Sequence, residues 1–219
     1  MIITNSKAKK KGAHFEHLNY HLLSILIVVY HDLFSILGSQ SPRRRELLAG
    51  LGLPFEVRVI DGISEGYPDG LSPMEIARYI AAEKAQPYAV SLGADDLLVC
   101  ADTIVVVDEA ILGKPHDAAD AQRMLRLLSG RTHQVITGVC LTTTKRQKRF
   151  AVATDVTFKQ LSDEEIDYYV SHFKPFDKAG AYGIQEWIGY IGVTGIKGSY
   201  FNVMGLPVQR LYEEIQDML

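Results

Sequence analysis

Residues 33–48 read Leu33-Phe34-Ser35-Ile36-Leu37-Gly38-Ser39-Gln40-Ser41-Pro42-Arg43-Arg44-Arg45-Glu46-Leu47-Leu48. The apolar run at the start predicts a β-strand, and the glycine that follows it predicts a tight turn. Ser41 is a good helix N-cap, and Pro42 suits the first helical position, where its missing N–H costs nothing. This stretch therefore predicts a strand, a turn and the start of a helix.

Three arginines, Arg43, Arg44 and Arg45, fall in that first helical turn, where the helix macrodipole disfavours cations. A bound anion would remove the conflict, because exposed N–H groups, the dipole and the guanidinium groups would all favour it. A local rule that is broken without local gain often marks a functional site. We interpret the turn as an anion site, and the structural alternative is a solvated basic turn.

Composition describes an ordinary globular chain of 219 residues, with 47% hydrophobic and 22% charged residues. Its formal net charge of -3 argues against a nucleic-acid surface, which would predict basic residues elsewhere as well. Cys100 and Cys140 lie in apolar runs and predict reduced, buried thiols rather than a disulfide or metal pair. We therefore predict a cytoplasmic protein.

Residues 1–32 fit least well with the rest. Lysines precede the apolar run from Leu22 to Tyr30, as in a signal peptide, but no small-residue cleavage site follows. The run is also too short for a membrane span, which needs about 20 residues. We predict a poorly ordered N-terminal extension over residues 1–32 and one domain over residues 33–219, with no membrane association.

The rest of the chain mixes strand and helix patterns, which predicts one α/β or α+β domain with a cleft. The predicted strands are 55–60, 97–107, 134–144, 150–158, 188–193 and 200–203, with a solvated basic turn over 145–149. The predicted helices begin at the caps Ser41 and Ser72, near Asp117, at the cap Ser162 and near Pro207.

Asp102 interrupts the most apolar of these strands. A buried carboxylate must be paired, hydrogen-bonded or bound to a metal, because an isolated buried charge is too costly. A structural aspartate satisfied by backbone donors is the alternative. We favour a functional role, because a carboxylate beside a threonine at such a place suits metal binding or water activation.

Two lysines are ambiguous from the residues alone. Lys84 ends an apolar helix stripe, and such a lysine usually extends its ammonium group to water. Lys114 lies between a glycine and a proline, which suits a phosphate contact but equally an ordinary surface position.

The motifs together resemble the Maf family of nucleoside triphosphate pyrophosphatases, and the resemblance covers residues 33–212. The matching segments are Ser39 to Leu48, Ala101 to Val105, Gly113 to Pro115, Leu128 to His133, Asp177 to Gln185 and Gly205 to Pro207. The resemblance implies an elongated mixed β-sheet flanked by helices, with a central cleft. It also implies hydrolysis of a nucleoside triphosphate to the monophosphate and pyrophosphate with Mg²⁺ or Mn²⁺, and it leaves a homodimer open.

In that family the residue matching Asp102 is the catalytic acceptor of the proton. The residues matching Arg43, Thr103 and Gln185 bear on base selection, and this combination is typical of the branch that acts on dTTP and UTP. Other cleft positions match Ser39, Arg44, Glu65, Lys84 and Lys114. The chain departs from the pattern at Gly38, where alanine is usual, and at the bulky segment Glu186-Trp187-Ile188.

The predicted mechanism combines both readings. Arg43, Arg44, Lys84 and Lys114 would hold the triphosphate, since phosphoryl transfer needs positioning and charge neutralisation. Asp102 with Glu65 would bind the metal, and Asp102 would orient or deprotonate the attacking water. Two alternatives stay open: a broad house-cleaning pyrophosphatase for modified nucleotides, and a nucleic-acid-binding or division-regulating protein, which would leave Asp102 without a role.

Overall fold

The computed structural model describes residues 34–218, which form seven strands and seven α-helices. The strands are β1 (Phe34–Leu37), β2 (Phe55–Val57), β3 (Asp96–Val107), β4 (Ala110–Leu112), β5 (Thr132–Thr142), β6 (Gln147–Phe158) and β7 (Val193–Lys197). The α-helices are α1 (Pro42–Ala49), α2 (Pro73–Ala85), α3 (Ala118–Leu128), α4 (Asp163–Phe173), α5 (Trp187–Gly192), α6 (Tyr200–Met204) and α7 (Val208–Gln216). The predicted extension over residues 1–32 lies outside the described residues.

The strands of residues 34–218 form one mixed sheet in the order β2-β1-β3-β5-β6-β7, with β4 paired to β3. Strand β1 runs parallel to β2 and to β3, whereas β3, β5, β6 and β7 pair antiparallel in succession. Helices pack on this sheet, so the prediction of a mixed α/β fold with a flanked sheet is confirmed. Among residues 34–218, no helix combines the length and apolar character needed to cross a bilayer.

Helix α1 begins where the sequence predicts it. The Ser41 hydroxyl accepts a hydrogen bond from the Arg44 backbone N–H at 3.4 Å, and Pro42 occupies the first turn. Leu47 and Leu48 are the buried residues of the helix. Of the three arginines, Arg45 is exposed, whereas Arg43 and Arg44 are partly buried at the start of the helix.

Helix α2 lies unusually close to the sheet. Its residues Ile76 and Ile80 pack on Ile104 of β3 and Ile136 of β5. Gly138 on β5 permits the approach, because a Cβ atom there would lie 2.1 Å from the carbonyl oxygen of Ala77. The helix that carries Lys84 is therefore pressed against the strand pair that carries Asp102.

Two predicted strands are helices, so the predictions for residues 188–193 and 200–203 are wrong. Short apolar runs do not distinguish a strand from a buried helical turn. In α5 the glycine Gly189 fits against the carbonyl oxygen of Ile184, where a Cβ atom would lie at only 1.9 Å. In α6 the Ser199 hydroxyl caps the helix by accepting from the Asn202 N–H at 3.3 Å.

The hairpin of β5 and β6 is confirmed, with a shorter turn than predicted. Lys148 belongs to β6 rather than to a solvated turn, and its ammonium group pairs with Glu214 of α7 and with Asp217. These ion pairs attach the C-terminal helix to the hairpin. Cys100 and Cys140 are buried and unpaired, as predicted, and they face each other across β3 and β5.

Candidate active site

A cavity of about 480 Å³ opens at the end of β1 and along the middle of β3, a volume typical of small-molecule sites. It brings together every side chain that the sequence analysis proposed for the site. These residues are Ser39, Arg43, Arg44, Glu65, Lys84, Asp102, Thr103, Lys114 and Gln185. The arginine-bearing helix start and the buried acid thus share one cleft.

Asp102 is only 6% exposed and is paired with a lysine. The Lys84 ammonium group on α2 donates to its Oδ1 atom at 2.6 Å. Lys84 therefore turns into the cleft instead of extending to solvent, contrary to the interpretation from its helix position alone. The pair supplies the compensation that a carboxylate inside an apolar strand requires.

Glu65 joins the same charge cluster from the loop before α2. Its Oε1 atom accepts from Lys84 and from Lys114, each at 2.8 Å. Partial burial acts to raise the pKa of Glu65, but the two lysines outweigh that effect and lower the pKa to about 2. Glu65 is therefore a carboxylate at any pH at which the protein would work.

Arg44 is a partly buried cation held by neutral acceptors. It donates to the Gly205 carbonyl oxygen at 2.9 Å and to the Thr103 hydroxyl at 3.1 Å, with a weaker contact to Ser39 at 3.4 Å. Within residues 34–218, no carboxylate lies at ion-pair distance from its guanidinium group. Burial lowers the pKa of Arg44, while the charge of Asp102 raises it, and an arginine keeps its charge in either case.

Thr103 lies behind Arg44 and contacts it directly. Its hydroxyl also lies 3.0 Å from that of Thr137 on β5, which in turn donates to the Asn202 carbonyl oxygen at 3.0 Å. The hydroxyl predicted to bear on base selection is thus occupied by Arg44 and Thr137. Thr103 acts on the cleft through the orientation of Arg44.

Arg43 is held by a residue that the sequence analysis did not single out. Its guanidinium group pairs with Asp177 Oδ2 at 2.9 Å, and Asp177 Oδ1 accepts from Lys178 at 2.7 Å. Lys178 also lines the cavity although its side chain is only 8% exposed. The sequence carries a signal for this ion pair, because Asp177 and Lys178 are adjacent, oppositely charged residues that precede small residues.

Gln185 presents an unused acceptor. Its Oε1 atom is buried and has no hydrogen-bond partner among the described residues. A buried polar atom without a partner costs free energy, and at a cavity wall a ligand donor would satisfy it. The amide is therefore suited to read an N–H group of a bound molecule.

Gly38 departs from the family pattern for a steric reason. A Cβ atom at Gly38 would lie 2.6 Å from the sulfur of Cys100, which is buried beneath the turn. Alanine therefore does not fit here unless Cys100 moves. Burial raises the pKa of the Cys100 thiol to about 12, so the thiol is protonated near neutral pH.

The donor set suits a hard divalent cation that is shared with a ligand. No group of three or more His, Cys, Asp or Glu side chains in the described part of the chain could hold a metal by itself. However, Mg²⁺ is commonly held by one or two carboxylates together with substrate phosphates. Glu65 and Asp102 each use one oxygen on Lys84, and no hydrogen bond within residues 34–218 occupies Glu65 Oε2 or Asp102 Oδ2.

Comparison with known proteins gives consistent results. Residues 35–218 match the model of a family described as "Maf-like protein". A protein of Phocaeicola vulgatus named dTTP/UTP pyrophosphatase is 61% identical over 183 residues, which cover 84% of this chain and 95% of that protein. A protein of Porphyromonas gingivalis with the same name is 55% identical over 184 residues, which cover 83% and 92%.

Two solved structures are similar at 15% identity. One is a nucleoside-triphosphatase, dITP/XTP pyrophosphatase, of Mycobacterium abscessus, with a TM-score of 0.40 over 85% of this chain and 96% of that chain. The other is a HAM1 protein of Coxiella burnetii, with a TM-score of 0.47 over 84% and 99%.

Proposed function

Because this chain belongs to the Maf-like protein family, we propose that it hydrolyses dTTP and UTP to the nucleoside monophosphate and pyrophosphate. It is a nucleoside triphosphate pyrophosphatase, and the choice among nucleotides is the part that needs a test. The observation that carries the proposal is Arg44, a partly buried cation without an anionic partner in residues 34–218, in the same cleft as Asp102. Such a cation favours a phosphate ligand.

The polyphosphate binds to the cationic side of the cleft. Arg43 and Arg44 reach the cleft from the start of α1, and Lys84 and Lys114, which both bond to Glu65, line the same cleft. The two lysines are already fixed by that shared carboxylate. Charge neutralisation and alignment of this kind account for most of the catalysis in phosphoryl transfer.

Asp102 is the group best placed to accept the proton of the attacking water. Lys84 fixes the orientation of its carboxylate through Oδ1, which leaves Oδ2 for the water. The water oxygen forms a bond to the α-phosphorus, the bond from that phosphorus to the bridging oxygen breaks, and pyrophosphate leaves. The proton passes to Asp102.

Glu65 Oε2 and Asp102 Oδ2 would hold Mg²⁺ or Mn²⁺ together with the substrate phosphates. A carboxylate oxygen has two lone pairs, so Asp102 Oδ2 can bind the cation with one and accept from the water with the other. When bound, the cation supplies charge neutralisation on the polyphosphate and acidifies water. Lys84 lies between the two carboxylates and limits how closely they approach each other.

Gln185 supports selection of a pyrimidine base. Its unpaired Oε1 atom would accept from the N3–H group of thymine or uracil, which cytosine lacks. A base without that donor would leave the amide oxygen buried and unpaired, which penalises it in binding. Arg43, which the resemblance also links to base selection, is held by Asp177 in the segment that leads to Gln185.

The test is a substrate panel with release of pyrophosphate as the readout, with Mg²⁺ and Mn²⁺ in separate series. We expect dTTP and UTP to be hydrolysed faster than CTP, ATP and GTP. Equal rates on all of them would contradict the base selectivity, and preference for modified nucleotides would favour the house-cleaning alternative. Salt-sensitive DNA binding without turnover would favour the nucleic-acid alternative. Cytoplasmic location and a homodimer stay predictions.

A further inference from the structure

We propose that Glu186, outside the cavity, is a positioning residue. It fixes the position of the two base-selecting side chains, Arg43 and Gln185, relative to each other. The inference rests on the proposed function, because it concerns selectivity among nucleotides. Glu186 directly follows Gln185 in the chain and begins helix α5 as its N-cap residue. Its two carboxylate oxygens make different contacts, and each oxygen is connected through further polar contacts to a residue that lines the cleft.

The first contact leads to Arg43. Glu186 Oε1 lies 3.1 Å from the Lys178 ammonium group, which lies 2.7 Å from Asp177 Oδ1. Asp177 Oδ2 pairs with Arg43 at 2.9 Å. The Lys178 side chain is 8% exposed, and a cation buried to that extent needs compensating charge. Glu186 supplies part of it, so that Asp177 can be shared with Arg43.

The second contact leads to the Gln185 segment. Glu186 Oε2 accepts a hydrogen bond from the Tyr169 hydroxyl of α4, and that hydroxyl accepts from the Gly183 N–H at 3.0 Å. Burial and the Glu186 carboxylate both raise the pKa of Tyr169, so its hydroxyl remains a donor. Gly183 and Gln185 both line the cavity. The turn that presents the amide is thus fastened to α4.

Loss of the Glu186 charge would act on both sides of the cleft. Lys178 would depend on Asp177 alone and would compete with Arg43 for it. Loss of the acceptor would also free the Tyr169 hydroxyl and loosen the turn at Gly183. Misplacement of this kind weakens the discrimination between bases while the reacting atoms near Asp102 keep their own contacts.

The experiment compares Glu186→Gln and Glu186→Ala with the wild-type chain on dTTP, UTP and ATP. We expect the KM for dTTP to rise about tenfold in Glu186→Ala, with kcat changed by less than about threefold. The preference for dTTP over ATP should fall by a similar factor. Glu186→Gln keeps an acceptor for Tyr169 but not the charge, so its effect should be smaller than that of Glu186→Ala.

A second readout does not depend on turnover. Trp187 is the single tryptophan of the chain, and its ring lies 4.8 Å from that of Tyr168. Titration with dTMP, followed by tryptophan fluorescence, should give a Kd about tenfold higher in Glu186→Ala than in wild type. The control is Glu213→Gln, which removes the charge of an exposed carboxylate on α7 that accepts from Gln209 and does not line the cavity.

If the Glu186 variants do not fold, Asp177→Asn tests the same chain of charges from a half-exposed position. It should raise the KM for dTTP in the same direction. Unchanged selectivity and dTMP affinity in folded variants, or a lower melting temperature alone, would overturn the inference. Failure of the proposed function has a different signature, because wild-type protein would then release no pyrophosphate from any nucleotide.

Discussion

At the scale of single residues, the Lys84–Asp102 pair explains how a carboxylate persists inside an apolar strand. The ammonium group lies 2.6 Å from Asp102 Oδ1 and 2.8 Å from Glu65 Oε1, so one lysine compensates two acids. Removal of one member of such a pair leaves an uncompensated charge, which is more costly than the pair itself. Variants at Asp102 therefore need to be separated from variants that merely unfold.

Asp102→Asn keeps the size of the side chain and its acceptor for Lys84, but it cannot take the proton of the attacking water. We expect kcat to fall about 10³-fold, within the range of a lost general base. The dTMP affinity should change by less than about threefold. Pyrophosphate release measures the first effect and tryptophan fluorescence the second.

The control for this variant is Asp108→Asn, at an exposed aspartate that pairs with Arg131. It removes the same charge from a carboxylate near the end of β3 and should leave turnover unchanged. Turnover at the wild-type rate in Asp102→Asn would remove Asp102 from the mechanism.

Arg44 and Asp102 could be proposed from the residues alone, because each breaks a local rule, whereas Ser39, Glu65, Thr103 and Gln185 were implied only by the family resemblance. Arg44 opposes a helix dipole, and Asp102 interrupts an apolar strand. Lys84 breaks no rule, and its helix position alone gave the wrong direction for its side chain. Lys178 and Glu186 were missed as partners because their pairing depends on which loops the fold brings together.

At the scale of elements, the close contact between α2 and β5 determines where Lys84 meets Asp102. Gly138 pairs with Asp102 across the strands and lies under the backbone of Ala77. A side chain at this position would force the helix away from the sheet. The spacing between the lysine and the aspartate is therefore set in part by a glycine without any functional group.

Gly138→Ala should accordingly affect both stability and catalysis. We expect the free energy of unfolding to fall by about 1–3 kcal/mol, the usual cost of an overpacked core. Displacement of Lys84 should also lower kcat by about tenfold. Urea unfolding and pyrophosphate release measure the two effects.

A matched strand glycine provides the comparison. Gly195 on β7 would place a Cβ atom 3.7 Å from the Thr157 hydroxyl, which is an ordinary contact. Gly195→Ala should change stability little. If Gly138→Ala is no more destabilising than Gly195→Ala, the close packing of α2 does not explain why position 138 is a glycine.

Element type was predicted correctly for the long strands and for the capped helices α1, α2 and α4, and wrongly for the short apolar runs that form α5 and α6. Helix α2 has a capping box, with the Ser72 N–H donating to Glu75 at 2.9 Å, and it begins where the sequence predicts. Helix α6 is capped by Ser199, but an Asn three residues later is a weaker signal than a Glu. Helix α5 carries two glycines, whose tolerance there depends on packing that the sequence does not reveal.

At the scale of the whole molecule, a buried histidine links stability to pH. His133 is 2% exposed, its Nε2 atom lies 2.8 Å from the Tyr182 hydroxyl, and its Nδ1 atom has no partner in the described residues. Burial lowers the pKa of His133 to about 4. The unfolded chain, in which the pKa is about 6.5, binds the proton more readily.

Stability should therefore fall as the pH drops through about 6.5 towards 4, because protonation favours the unfolded state. For one such group the loss at pH 5 is at most about 2 kcal/mol relative to pH 7.5. Urea unfolding of His133→Gln should show a smaller loss over that interval. His172→Gln, at an exposed histidine stacked on Tyr168, should keep the wild-type dependence. Equal pH dependence in all three proteins would exclude His133 as the cause.

The division of the chain into an extension and a catalytic domain is also a whole-molecule prediction. The family match covers residues 35–218, and the Phocaeicola vulgatus relative is matched over 95% of its length. We therefore expect deletion of residues 1–32 to leave kcat and KM for dTTP within about threefold of the full chain. Loss of folding or activity in the shortened chain would assign the first segment a structural role.

The three neutral acceptors around Arg44 have a thermodynamic consequence for ligand binding. Gly205, Thr103 and Ser39 hold its guanidinium group through hydrogen bonds made within the protein itself. A free arginine side chain has roughly 2 kcal/mol of rotamer entropy to lose. Here most of that entropy is lost when the chain folds. A phosphate therefore binds to donors that are already ordered, and the entropic cost of binding is smaller.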